Sequence, residues 1–247
     1  MRIAGRYSIQ AQMQRANLTL SGRELARDQA MKFACLWGVE GDFLELGAFR
    51  GDGLVHAYHS NRAWAEFIRL APPTIPFITP QMRERPELQR ILQAIDAMRF
   101  VAFDSFAGLP EPTEEHERFF GRGDYACSRE VFEENLRIND VDASRVVVVP
   151  GWFESTLTAE TKQRHGLRAA AIVYVDCDLY EPSRLSLEFV TDLLVDGSII
   201  IFDDWYLFRG HPDRGQRRAF REWSEAHPEL RFTEFVRNDV NSFIVHR

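Results

Sequence analysis

The 247-residue chain is poor in cysteine. Cys35, Cys127 and Cys177 are its only three, odd in number and without a C-x-x-C pair. That excludes a disulfide framework and a zinc knuckle, and points to a reducing, cytoplasmic setting. No apolar run approaches the roughly 20 residues of a membrane helix, so no membrane partner is expected. Positive charge is short as well: 30 Lys plus Arg stand against 37 Asp plus Glu, a formal net charge of −7. Such a chain lacks the basic face that non-specific nucleic-acid binding requires. The seven histidines form no ligand pair on a helix; His56 and His59, three apart, read as surface or core residues. A G-x-S-x-G elbow, the dinucleotide fingerprint G-x-G-x-x-G and a Walker lysine are all missing. Their absence leaves a serine-hydrolase triad and a phosphate cradle unsupported.

What is present is a globular composition, 45% apolar, 12% aromatic and 27% charged. That is enough apolar surface to offset the entropy of ordering the chain. Residues 1–23 carry Arg2, Arg6, Arg15 and Arg23 and no acid, and read as a basic arm rather than a transit or secretion signal. Ser21-Gly-Arg-Glu24 is a capping box, which predicts a helix over 22–37. Strand and helix then alternate. Strands are expected over 43–46, 99–103, 146–149, 169–175 and 198–202. Helices are expected over 52–70, 88–98, 128–139, 181–195 and 216–226. Two terminal strands follow, over 230–236 and 241–246. Pro72, Pro73, Pro76, Pro80 and Pro86 interrupt the chain after the second helix, and the turn-rich 107–127 reads as a mobile loop. The pattern predicts an α/β fold: a mostly parallel, seven-stranded sheet with helices on both faces. Residues 1–40 form an N-terminal arm and helix, and 41–247 the main domain, with a helical insertion at about 72–98.

In such sheets ligands gather beyond the carboxyl ends of the strands. All five inner strands end there in a glycine turn or a carboxylate. The segments are Glu45-x-Gly47-x-x-x-Gly51, Asp104-Ser105, Gly151-Trp-Phe-Glu154, Asp176-Cys-Asp178 and Asp203-Asp204. The glycines serve either a tight turn needing φ > 0 or the close approach of a ligand to backbone N–H groups. Asp104 either caps a helix or accepts hydrogen bonds from ribose hydroxyls; beside a glycine turn it suggests an adenosine-containing ligand. The acid pairs carry the strongest signal. If their strands are neighbours, three or four carboxylates converge, repel and take up protons unless a cation joins them. An all-oxygen set suits Mg²⁺ or Mn²⁺. Helix capping accounts for either pair taken alone. A metal-dependent glycosyltransferase, using Asp176 and Asp178 as its D-x-D, is the alternative. It does not predict the glycine turn or the second acid pair.

Five segments carry a family resemblance. They are Phe43-Leu-Glu-Leu-Gly-Ala-Phe-Arg-Gly51, Phe103-Asp-Ser-Phe-Ala-Gly-Leu-Pro110, Gly151-Trp-Phe-Glu-Ser-Thr-Leu157, Val175-Asp-Cys-Asp-Leu-Tyr-Glu181 and Ile200-Ile-Phe-Asp-Asp-Trp205. Together, in this order, they resemble the macrocin (TylF-type) O-methyltransferases, over about residues 40–246. The resemblance implies a class I methyltransferase fold using S-adenosylmethionine and Mg²⁺. It assigns the metal to Asp176, Asp203 and Asp204, and the base to Asp178. Glu45, Gly47 and Gly51 would hold the methionine part of the cofactor with Asp176 beside them. Asp104 and Ser105 would meet the ribose, and Gly151, Trp152 and Phe153 the adenine. The acceptor would be a small molecule, a sugar hydroxyl or another vicinal diol of a natural product. Segments 72–98 and 110–127 depart from the family pattern and would face that acceptor, with His116, Arg118 and Arg122 available to an anionic one. The N-terminal region could pack on a second copy of the chain or cover the cofactor.

Overall fold

The structure is a computed structural model that describes residues 21–70 and 86–247. The basic arm over 1–20 and the first part of the expected insertion, 71–85, lie outside the described residues. The first helix, α1 (Gly22–Trp37), starts where the capping box places it. Ser21 Oγ accepts the Glu24 N–H, the Glu24 carboxylate accepts the Ser21 N–H, and Gly38 closes the helix in the left-handed region.

The alternation continues with β1 (Asp42–Leu46), α2 (Asp52–Leu70), α3 (Pro86–Ala97), β2 (Phe100–Asp104) and α4 (Arg129–Ile138). Then come β3 (Val146–Pro150), the short α5 (Phe153–Thr156) and α6 (Ala159–His165), β4 (Ala170–Val175), α7 (Tyr180–Val190) and β5 (Leu194–Phe202). The chain ends with α8 (Gly215–Ala226), β6 (Arg231–Arg237) and β7 (Asn241–His246). Two details differ from the periodicity. The helix expected to run to 195 stops at Val190, and β5 begins at Leu194 rather than Ser198. Asp196-Gly197 is therefore not a helix stop. Gly197, at φ 87°, lies inside β5 where the register against β4 shifts, as in a bulge. α5 and α6 are too short to leave an amphipathic period and were not expected.

The strands form one seven-stranded sheet in the order β3-β2-β1-β4-β5-β7-β6. The pairs from β3 to β5 are parallel, and only β7 runs against its neighbours. Each face carries its own apolar layer. Phe43, Phe100, Ile172 and Tyr174 meet α1, α2 and α4 residues such as Met31, Leu54 and Phe132. Leu44, Phe103, Val173 and Phe202 meet Leu187, Phe189, Ala219 and Trp223 of α7 and α8. Strands covered on both faces carry apolar residues on both, so β1 and β4 are buried at every position. Strand order reverses between β1 and β4, and the crevice this opens at their carboxyl ends is where a ligand fits. No helix among the described residues is long and apolar enough to cross a membrane.

Candidate active site

A cavity of about 280 Å³ lies at that crevice. Its wall includes Gly47 from the turn after β1, Asp104 and Ser105 from β2, Trp152 and Phe153 after β3, Asp176 and Asp178 after β4, and Asp204 after β5. Residues from five strand ends thus converge on one space. Of the sequence-derived set, Glu45, Gly51, Gly151 and Asp203 are not on this wall. Gly47 is where the crevice is tightest: at φ 94°, a Cβ there would fall 1.7 Å from the Asp176 carbonyl oxygen. Only glycine lets the first turn pass so close to the end of β4.

Asp176, Asp203 and Asp204 each present a carboxylate oxygen within 4.8 Å of the other two. β4 and β5 are parallel neighbours, Val175 opposite Phe202, so residues following each strand emerge side by side. Asp178 shares the cavity but is not one of this trio. It takes a left-handed φ of 59°, and its N–H donates to Asp204 Oδ2 at 2.9 Å. Asp203 Oδ1 accepts the Tyr174 hydroxyl, and Oδ2 lies 2.7 Å from Arg23 Nη2. Gln216, at the start of α8, accepts the Asp204 N–H (2.9 Å) and donates to both Val175 O (3.0 Å) and Asp204 Oδ2 (3.2 Å).

Crowding and burial act on protonation. Burial first, then the charges of Asp203, Asp204, Asp178 and Glu45, raise Asp176 well above the carboxylate range. Asp204 rises for the same reasons, with burial ahead of Asp178 and Asp203. Burial and the charge of Asp203 push Asp178 up to about 6. A divalent cation among these oxygens would offset burial and mutual repulsion and favour the charged form. The donor set fits such an ion: hard, anionic, all oxygen and convergent.

Other residues of the set are engaged within the protein. Asp104 braces backbone: Oδ2 accepts Ala48 N–H (2.8 Å) and Phe49 N–H (2.7 Å), and Oδ1 accepts Phe106 N–H (2.6 Å). Ser105 Oγ closes a local turn, accepting Ala107 N–H and donating to Gly108 O. Glu45 is buried behind Gly53, whose Cβ would fall 2.0 Å from Oε1. Burial pushes it up to about 8, against the nearby charge of Arg27. The loop expected to be mobile is anchored. The buried Glu117 accepts Tyr180 N–H at 2.7 Å, and Phe120 packs with Leu179, Leu207 and Phe208. His116 sets its ring edge-on to Phe208 at 4.8 Å, whereas Arg118 and Arg122 are exposed. Sequence reasoning missed Arg23, Arg27, Tyr174, Gln216 and Glu117. Only Arg23 and Arg27 left a signal, two bases at i and i+4 on the capped helix.

Residues 89–231 match the Macrocin-O-methyltransferase (TylF) family. The chain belongs to that family. It is an S-adenosylmethionine-dependent O-methyltransferase, and the glycosyltransferase alternative is not favoured. Among solved structures it is similar to the O-methyltransferase NovP, at 20% identity, 92% coverage of this chain, 80% of that one and a TM-score of 0.67. It is also similar to CalS11, a calicheamicin methyltransferase, at 21% identity over 90% of this chain and 77% of that one, TM-score 0.60. TomG from Streptomyces achromogenes, solved in complex with SAM, shares 16% identity over 90% of this chain and 80% of that one, TM-score 0.50. At these identities the likeness is one of fold, and the methyltransferase shares the class I sheet with all three. No curated protein sequence matches the chain.

Proposed function

We propose that this methyltransferase acts on a hydroxyl of a sugar or other vicinal-diol small molecule, with a divalent ion, Mg²⁺, held by Asp176, Asp203 and Asp204 and with Asp178 as the base. The observation that carries the reading is the trio of carboxylate oxygens within 4.8 Å of one another, two of its members, Asp176 and Asp204, lining the cavity together with Asp178. A solved structure of CalS11 is described as a TDP-rhamnose 3′-O-methyltransferase, at 20% identity and TM-score 0.51, which favours a sugar hydroxyl over other acceptors.

The cavity suits a cationic methyl donor. Five carboxyl groups on its wall, Asp104, Asp176, Asp178, Asp204 and Glu154, face one base, Arg23, so the field is negative once the aspartates are ionised. Gly47, Ser105, Trp152 and Phe153 offer the surfaces against which the donor's amino-acid, ribose and adenine portions would lie. S-adenosylmethionine supplies the methyl group as a sulfonium; a divalent ion supplies Lewis acidity toward the acceptor hydroxyl. Asp178 lines the cavity beside the trio with its backbone held by Asp204, which supports a role for its carboxylate in taking the hydroxyl proton. Burial and the charge of Asp203 raise it to about 6 without the ion, and a bound ion would lower it from there and keep it in the charged form a base needs.

The test is a pair of measurements. Asp178→Asn is expected to lower kcat by about 100-fold or more while the Kd for S-adenosylmethionine stays within a few-fold. EDTA is expected to abolish turnover, and added Mg²⁺ to restore it. Full activity in EDTA would remove the metal from the reading; full activity of Asp178→Asn would remove the base.

A further inference from the structure

Arg23 enters the acid cluster from outside the sheet. It is the second residue of α1, and its Nη2 lies 2.7 Å from Asp203 Oδ2. It lines the same cavity as Asp176, Asp178 and Asp204. The two partners are unlike in burial: Arg23 keeps 54% of its side chain exposed, whereas Asp203 is fully covered. A buried carboxylate is costly without a partner, and Arg23 is the cation that supplies one here.

The backbone that carries Arg23 is held firmly. Asn238 Nδ2 donates to Gly22 O at 3.1 Å, tying the start of α1 to the β6–β7 turn. The exposed Asp239 side chain of the same turn lies directly against Gly22. The capping box fixes the same turn of helix. The half-exposed guanidinium is therefore the part that can move. Arg27, one helical turn on, is different: it is buried with its guanidinium 4.6 Å over the Tyr174 ring.

We propose that Arg23 is a resident counter-cation of the acid cluster, competing with the divalent ion for Asp203 and so setting the concentration at which the ion binds. The inference rests on the reading that Asp176, Asp203 and Asp204 hold that ion. Asp203 Oδ1 already holds the Tyr174 hydroxyl, so an ion that uses Oδ2 displaces the guanidinium, and one that uses Oδ1 still meets the positive charge beside it. Both effects weaken ion binding, and a half-exposed arginine loses little by turning to solvent. The contact and the ion are thus thermodynamically linked, each disfavouring the other.

Mn²⁺ binding to the full chain, followed by the electron paramagnetic resonance signal of the unbound ion, tests this without turnover. Arg23→Gln is expected to bind Mn²⁺ about tenfold tighter or more than the wild type, because the competing charge is gone. Arg23→Lys keeps the charge and should stay within a few-fold of the wild type. Equal or weaker binding by Arg23→Gln would overturn the proposal while leaving the ion site standing. If neither the wild type nor Arg23→Gln binds Mn²⁺, the ion site fails and this inference fails with it. Tight binding by both variants would show that the effect is not one of charge, and would also overturn it.

Discussion

Asp104 shows how one carboxylate can hold a strained site. Phe49 and Phe106 have φ of 46° and 52°, a left-handed region that costs a residue with a side chain about 1–2 kcal/mol. Both donate their N–H to Asp104, on opposite carboxylate oxygens. Charge-assisted hydrogen bonds are the stronger kind, and these offset the strain in the turns after β1 and β2. Asp178, also left-handed, likewise donates its N–H to a carboxyl oxygen, that of Asp204. Asp104→Asn would aim an amide N–H₂ at a backbone donor. It is expected to lower unfolding free energy by about 1–3 kcal/mol in urea titration. It should also weaken S-adenosylmethionine binding, since the loosened turn includes Gly47. The sequence reading left Asp104 as either a cap for backbone N–H groups or a partner of ribose hydroxyls. Its three backbone partners lie in turns whose proximity no local pattern reveals.

At the level of elements, the acid trio depends on β4, β5 and α8 being locked together at one end. Gln216 is that lock. It is 1% exposed and makes three hydrogen bonds, to Val175 O, to Asp204 N–H and to the Asp204 carboxylate. Gln216→Leu keeps the volume but strands a buried C=O and N–H. A loss of about 2–4 kcal/mol is expected, together with weaker Mn²⁺ binding. A variant as stable as the wild type would show that water replaces the amide. The elements themselves were largely legible. Ser21 and Glu24 marked the start of α1, and the apolar run over 170–175 marked a strand covered on both faces. The end of α7 was not legible, because Asp196-Gly197 serves equally as a helix stop or as a bulge in a strand. Pairing with β4 decides between them.

Across the molecule, burial of acid makes stability depend on pH in an unusual direction. Glu45 moves from its ordinary 4.5 to about 8 on folding, and Asp178 from 3.8 to about 6. Between these values the folded chain holds protons that the unfolded chain gives up, so stability falls as pH rises. In EDTA the melting temperature is expected to decline from about pH 4.5 to about pH 8. Glu45→Gln, with no proton to lose, should flatten that decline and melt higher than the wild type at pH 8. Adding Mg²⁺ should restore stability at the alkaline end through the aspartates and leave the Glu45 part unchanged. A profile that rises with pH in EDTA would mean that Arg27 and Arg23 already neutralise the cluster in full.

The chain's local chemistry determined where strands and helices start, that the sheet is covered on both faces, and that every inner strand ends in a glycine turn or an acid. Those features depend on residues a few positions apart, and a periodic pattern or a cap records them. Tertiary structure decided that β4 lies between β1 and β5, that Arg23 reaches Asp203 across 180 positions, that Gln216 ties two strand ends, and that Asp104 faces backbone. Such contacts join residues distant in the chain, and hydrogen-bond geometry between them exists only once the sheet has brought them together.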